Sequence, residues 1–88
     1  MLVRKAGDEI HGINRKGRLI GLPSPIVVGA HKMTSDFILD GECVGDVRYA
    51  FDLLEWDGED LRTKPYERRV VKLSTLLNRA GHDAYRVR

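Results

Sequence analysis

Around "LDGECVGD", Leu39 to Asp46, the carboxylates Asp40, Glu42 and Asp46 crowd beside Gly41 and Gly45. A carboxylate at a strand end can accept hydrogen bonds from both hydroxyls of a ribose, or hold a hydrated magnesium ion through one oxygen. A neighbouring glycine lets a ligand or another backbone come close, with no Cβ in the way. A few residues on, Phe51 and Asp52 sit inside an apolar run, and a phenyl ring offers a flat face of purine size. Upstream, Arg15 stands in the turn-like "NRKGR". Each residue also has a plainer reading. Glu42 can be a solvated strand end, Phe51 a core side chain, Arg15 a surface charge, and Asp52 the partner of an arginine. His11, His31 and His82 are scattered without metal-ligand spacing, and Cys43 has no histidine placed to activate it.

The elements that must position these residues follow from periodicity. Met1–Lys5 and Ile10–Asn14 predict short strands joined by a polar turn at residues 6–9, and "NRKGR" predicts a second turn with Gly17 at the position needing positive φ. Leu19 and Ile20 follow. "SPIVVGAHKM" predicts a short helix with Ser24 as N-cap and Pro25 at the first helical position. Phe37–Val44 and Val47–Trp56 predict two antiparallel strands, and "DGED" at Asp57–Asp60 a turn. From Pro65 to Ala80, Tyr66, Val70, Leu73, Leu77 and Ala80 form one apolar helical stripe, with Lys64, Arg68, Arg69, Lys72 and Arg79 on the other faces and Gly81 as the stop. "AYRVR" begins a further extended segment.

Eighty-eight residues make one domain or part of one, with a modest core. A charged fraction of 32% beside 42% hydrophobic residues predicts a folded, soluble chain. Fifteen Lys and Arg against thirteen Asp and Glu leave +2, too balanced to mark a nucleic-acid binder without a clustered basic face. One cysteine excludes an internal disulfide and a Cys-based zinc site. With no membrane-length apolar run and no leader pattern, a cytoplasmic location is expected.

Taken together, "LDGE" at Leu39–Glu42, "YAFDLLEWDGEDLR" at Tyr49–Arg62 and a helix opening "PYERR" resemble the nucleotidyltransferase (adenylation) domain of ATP-dependent DNA ligases, especially the small bacterial ones. "INRKGR" is similar to that family's arginine-bearing turn, and "YRVR" to the strand after the helix. The resemblance runs in consistent order along nearly the whole chain. It implies that Glu42 takes the ribose, Phe51 stacks on adenine and Arg15 reaches the sugar–phosphate region. It implies ATP and Mg2+ as cofactors, DNA as partner, and a parent reaction that seals nicks in repair and recombination through a lysine-AMP intermediate.

The same resemblance marks what is missing. The family's nucleophile is the lysine of a K-x-D-G motif, which would fall before Met1, and no lysine here carries that pattern. The family's later E-G and K-x-K pairs are absent too. The expectation is therefore a single partial domain over residues 1–88, of α+β class, an antiparallel sheet of about five strands with two packed helices. It retains part of a nucleoside pocket and is inactive alone. Two other classes stay open: a non-catalytic module binding adenine nucleotide or DNA, and a structural homo-oligomer pairing through the sheet edges at Met1–Lys5 and Tyr85–Arg88.

Overall fold

Alternating apolar runs separated by tight loops build a single sheet in the computed structural model, which describes residues 1–80 and 85–87. Strand β1 (Leu2–Ala6) pairs antiparallel with β2 (Glu9–Ile13), and β2 with β3 (Leu19–Ile20). The chain then forms helix α1 (Ser24–Lys32) and returns as β4 (Phe37–Val44) against the other side of β1, Lys5 opposite Phe37 and Leu2 opposite Asp40. A Gly45-Asp46 loop leads into β5 (Val47–Trp56), whose far end pairs with β6 (Glu59–Asp60). Helix α2 (Tyr66–Ala80) crosses back, and β7 (Tyr85–Val87) lies parallel to β5 along Arg48–Ala50. The spatial order is β3-β2-β1-β4-β5-β6, with β7 on β5.

The protein is thus an α+β fold with two packed helices, but its sheet is mixed and, among the described residues, seven-stranded instead of antiparallel and about five-stranded. Two short elements account for the difference. Asp57 (φ 51°) and Gly58 (φ 82°) both take positive φ, the requirement of a two-residue hairpin turn, so "DGED" is half turn and half strand β6. The parallel β7 follows from α2 acting as a crossover, which returns the chain in the direction of β5. Strand β1 is flanked on both sides, so Met1–Lys5 is interior and not a free edge. Among the described residues β7 has one strand partner.

Ser24 is not the N-cap of α1. Pro23 holds that position at φ −56°, ψ 143°, its carbonyl accepts from the amides of Ile26 and Val27, and no side chain caps the helix. The fixed φ of proline already sets the entry angle. Gly81, expected to stop α2, lies outside the described residues.

One continuous core lies between the sheet and the helices. Val3, Phe37, Leu39, Ala50 and Leu53 come from the strands, Ile26 and Ala30 from α1, Leu73, Leu76 and Leu77 from α2. Each large aliphatic side chain so buried contributes about 1.5–3 kcal/mol. The expected α2 stripe is right at Leu73 and Leu77 but shifted at its start, because Tyr66 is 52% exposed and Leu76 packs inward. Its N-terminal turn is left for another task.

Candidate functional site

A cleft of about 630 Å3 opens where the β2–β3 turn, the start of β1 and the C-terminal half of β4 converge. Arg15, Glu42 and Phe51 all line it, with Asp40, Gly41 and Cys43 between them. The three residues singled out by sequence therefore share one concave surface. Its volume lies in the range of small-molecule sites.

Arg15 reaches the rim because Asn14 organises the turn. The Asn14 side-chain oxygen accepts from the backbone amides of Lys16 (2.9 Å) and Arg18 (3.0 Å), and its backbone pairs with Arg18 and Gly17. Gly17, at φ 79°, completes the reversal as expected. This asparagine-centred turn exposes Arg15, Lys16 and Arg18 together, and among the described residues none of them enters an ion pair.

Phe51 reaches the cleft through a defect in the ladder. Asp40 pairs with Asp52 and Gly41 with Ala50, so the ladder shifts register there and Phe51 is the extra residue on β5 between these two pairs. A β-bulge of this kind re-aims a side chain and bends its strand. Gly41 permits it: a Cβ at that position would stand 2.0 Å from the Tyr49 carbonyl oxygen. The helix α2 then pins the bulge from behind. Tyr66 donates its hydroxyl to the Phe51 carbonyl (3.2 Å), and Arg69 grips the Asp52 carboxylate with two parallel bonds of 2.8 and 3.1 Å. Arg69 also donates to the Lys64 carbonyl at 2.6 Å and lies over the Tyr66 ring. Hydrogen bonding to Asp52 pushes the Arg69 ionisation further up. Asp52 thus pairs with an arginine, as its plainer reading held.

Asp40 and Asp52 face each other across the ladder, which like charges would resist unless each had its own cation. Asp52 has Arg69, and Asp40 lies 3.7 Å from the amino group of Met1. The Asp40 side chain is 46% exposed. On the far side, Glu59 meets Lys64 and Lys72, and Lys72 lies over the Trp56 ring. Asp60, held below the usual carboxylate range by the Arg62 amide and guanidinium, caps its own loop. Most of the described cations of the basic α2 segment are therefore already paired.

The pattern reading missed Arg48. It sits fully buried at an inward position of β5, opposite Cys43, with its guanidinium on the Met1 and Leu39 carbonyls at 2.6 and 3.2 Å. The only signal in sequence was a charge at the same parity as Ala50 in an apolar run. Asn14 was read only as the end of a strand and the first residue of the turn, and its carboxamide proves to be the turn's organiser. Lys5 is nearly buried, 3.8 Å from Asp36, and does not line the cleft. Among the described residues no group of three or more His, Cys, Asp or Glu could hold a metal ion by itself. No protein-family model matches the chain, and no curated protein or solved structure is found to match it either.

Proposed function

We propose that the cleft binds an adenine nucleotide and that the chain is part of an ATP-dependent DNA ligase-type adenylation domain. The observation that carries the reading is the convergence of Glu42, Phe51 and Arg15 on one cleft, in the roles the resemblance to that family implies. Phe51 offers the ring for the base, Glu42 the acceptor for the ribose hydroxyls, and Arg15 a cation for the phosphates at the rim. The bulge at Phe51 and its support by Tyr66 and Arg69 fit a ring held in place for a ligand.

Mg2+ fits this donor set in a limited sense. It is commonly held by one or two carboxylates together with substrate phosphates, and Asp40 and Glu42 line the cleft two residues apart. When bound, the ion supplies neutralisation of phosphate charge. The residues present bind and orient. None of their lysines stands in a K-x-D-G pattern, so the reading is of nucleotide binding without lysine-AMP formation.

Titration calorimetry with ATP and Mg2+ tests it. Binding is expected, weakened about tenfold by Phe51→Ala, which corresponds to about 1.4 kcal/mol. Phe51 lies outside the core cluster, so the variant should keep its melting temperature within a few degrees. Absence of binding at millimolar ATP, or an affinity indifferent to Phe51 and Glu42, would sink the proposal. An acid-stable AMP adduct on Lys5 or Lys16 would show instead that the chain carries its own nucleophile.

A further inference from the structure

Cys43 and Arg48 face each other across the β4–β5 ladder, and nucleotide binding uses neither. Arg48 is wholly buried, and its Nη1 donates toward the Cys43 sulfur at 3.9 Å. Among the described residues its Nε has no acceptor, and no carboxylate lies within ion-pairing distance of the guanidinium. A buried cation is normally matched by an anion, because its lost hydration is otherwise uncompensated. Tyr85, the other acidic group nearby, does not serve. Its hydroxyl donates to the Ile26 carbonyl at 2.7 Å, and burial pushes its ionisation upward. Among the described residues, that leaves the Cys43 sulfur as the one atom in contact with Arg48 that can take on negative charge. Cys43 is half-buried and lines the cleft, so its position connects the buried guanidinium to the cleft.

We propose that Cys43 is a covalent-modification site for small disulfides entering through the cleft, with Arg48 as its positioning residue. In the step, the thiol loses its proton to solvent and the sulfur attacks one sulfur of the incoming disulfide. The new S–S bond forms as the old one breaks, and the departing sulfur leaves with the electron pair and takes a proton from solvent. The disulfide is the oxidant, and a free thiol is its reduced product. Arg48 stabilises the negative charge that the Cys43 sulfur carries once its proton is lost, before attack passes that charge to the departing sulfur. An adduct at this position fills the cleft beside Glu42 and Phe51, so the site accepts either the adduct or another ligand.

Glutathione disulfide is the probe, added to the folded chain at neutral pH without nucleotide and followed by intact mass. One glutathionyl group per chain is expected, mapped to Cys43 by digestion and absent from Cys43→Ser. The deciding figure is the rate against that of the same chain unfolded in urea. A half-buried thiol without help reacts more slowly when folded; here the folded chain should react about tenfold faster. A folded rate at or below the unfolded one overturns the proposal. Arg48→Lys, checked for native circular dichroism, should lose that advantage; a folded Arg48→Lys chain reacting as fast as the parent also overturns it. If the substitution prevents folding, the folded-to-unfolded ratio of the parent still decides. Because no nucleotide is present, failure of ATP to bind leaves this result untouched.

Discussion

Gly41 sets the geometry of the cleft more directly than any residue that would touch a ligand. The atom a Cβ would strike there is the Tyr49 carbonyl oxygen, 2.0 Å away, and the next nearest atoms are also backbone. Backbone in a paired strand cannot yield without opening the ladder. Gly12 makes a control, since a Cβ there first meets side-chain atoms, Leu22 Cδ2 at 2.8 Å and Ile20 Cγ1 at 2.9 Å, and the nearest backbone atom, the Ile20 carbonyl oxygen, only at 3.1 Å. Gly41→Ala is expected to cost at least about 3 kcal/mol, the upper end of the overpacking range, and Gly12→Ala clearly less. Urea-unfolding midpoints measure both. Equal midpoints for the two variants would mean that β4 and β5 can separate at Gly41 without penalty. The glycine beside Glu42 was visible in sequence as a place where ligand or backbone could come close, and it is the backbone of the neighbouring strand that does so.

At the scale of elements, β7 is held by a hook. Tyr85 is buried at the end of the parallel ladder and donates to a carbonyl of α1. Burial raises its ionisation above the ordinary value of 10.0. A group whose folded-state value is raised stabilises the fold fully below its unfolded value and loses that contribution as pH climbs. Above about pH 10 the parent should therefore lose up to about 1.4 kcal/mol per pH unit on account of Tyr85. Tyr85→Phe removes this slope. At neutral pH it also removes the hydroxyl's hydrogen bond to the Ile26 carbonyl, at a cost of about 0.5–1.5 kcal/mol. Unfolding free energies of both chains from neutral to alkaline pH check the pair of effects. Parallel curves would place Tyr85 in a less buried setting. The long strands and both helices were legible because their periods of two and near four repeat over many residues. The direction of β7 was not, since a three-residue strand carries no mark of its orientation and the α2 crossover decides it. The bulge left a trace that simple alternation reading passes over: Ala50 and Leu53, three apart, are both buried, as a regular strand would not allow. Arg48 could not be read as buried from any local pattern, because its place depends on carbonyls contributed by β4 and the start of β1.

Across the whole molecule, charge is sorted differently from the way the composition suggests. In and just before the basic helix, Arg69 is bound to Asp52, Lys64 and Lys72 share Glu59, and Arg62 is held by Asp60. At the opposite end of the sheet order Arg15, Lys16 and Arg18, which enter no ion pair among the described residues, stand together on one turn beside the cleft. Edge pairing between copies has little to work with, since β3 and β6 are two residues long and β7 three. A DNA partner, proposed here with the ligase-type reading, should therefore engage the β2–β3 turn. Three lysine or arginine contacts to phosphates give a plot of log affinity against log salt with a slope of about −2.7 on duplex DNA. Replacing Arg15, Lys16 and Arg18 together by alanine should abolish that slope and most of the binding. Arg68→Ala with Lys72→Ala should change neither, because Lys72 is already neutralised by Glu59 and Arg68 stands away from the cleft-lining residues. Fluorescence anisotropy of a labelled duplex across a salt series separates the cases: a slope carried by the α2 pair would show that DNA outcompetes Glu59 for these cations and that the turn is not the docking point.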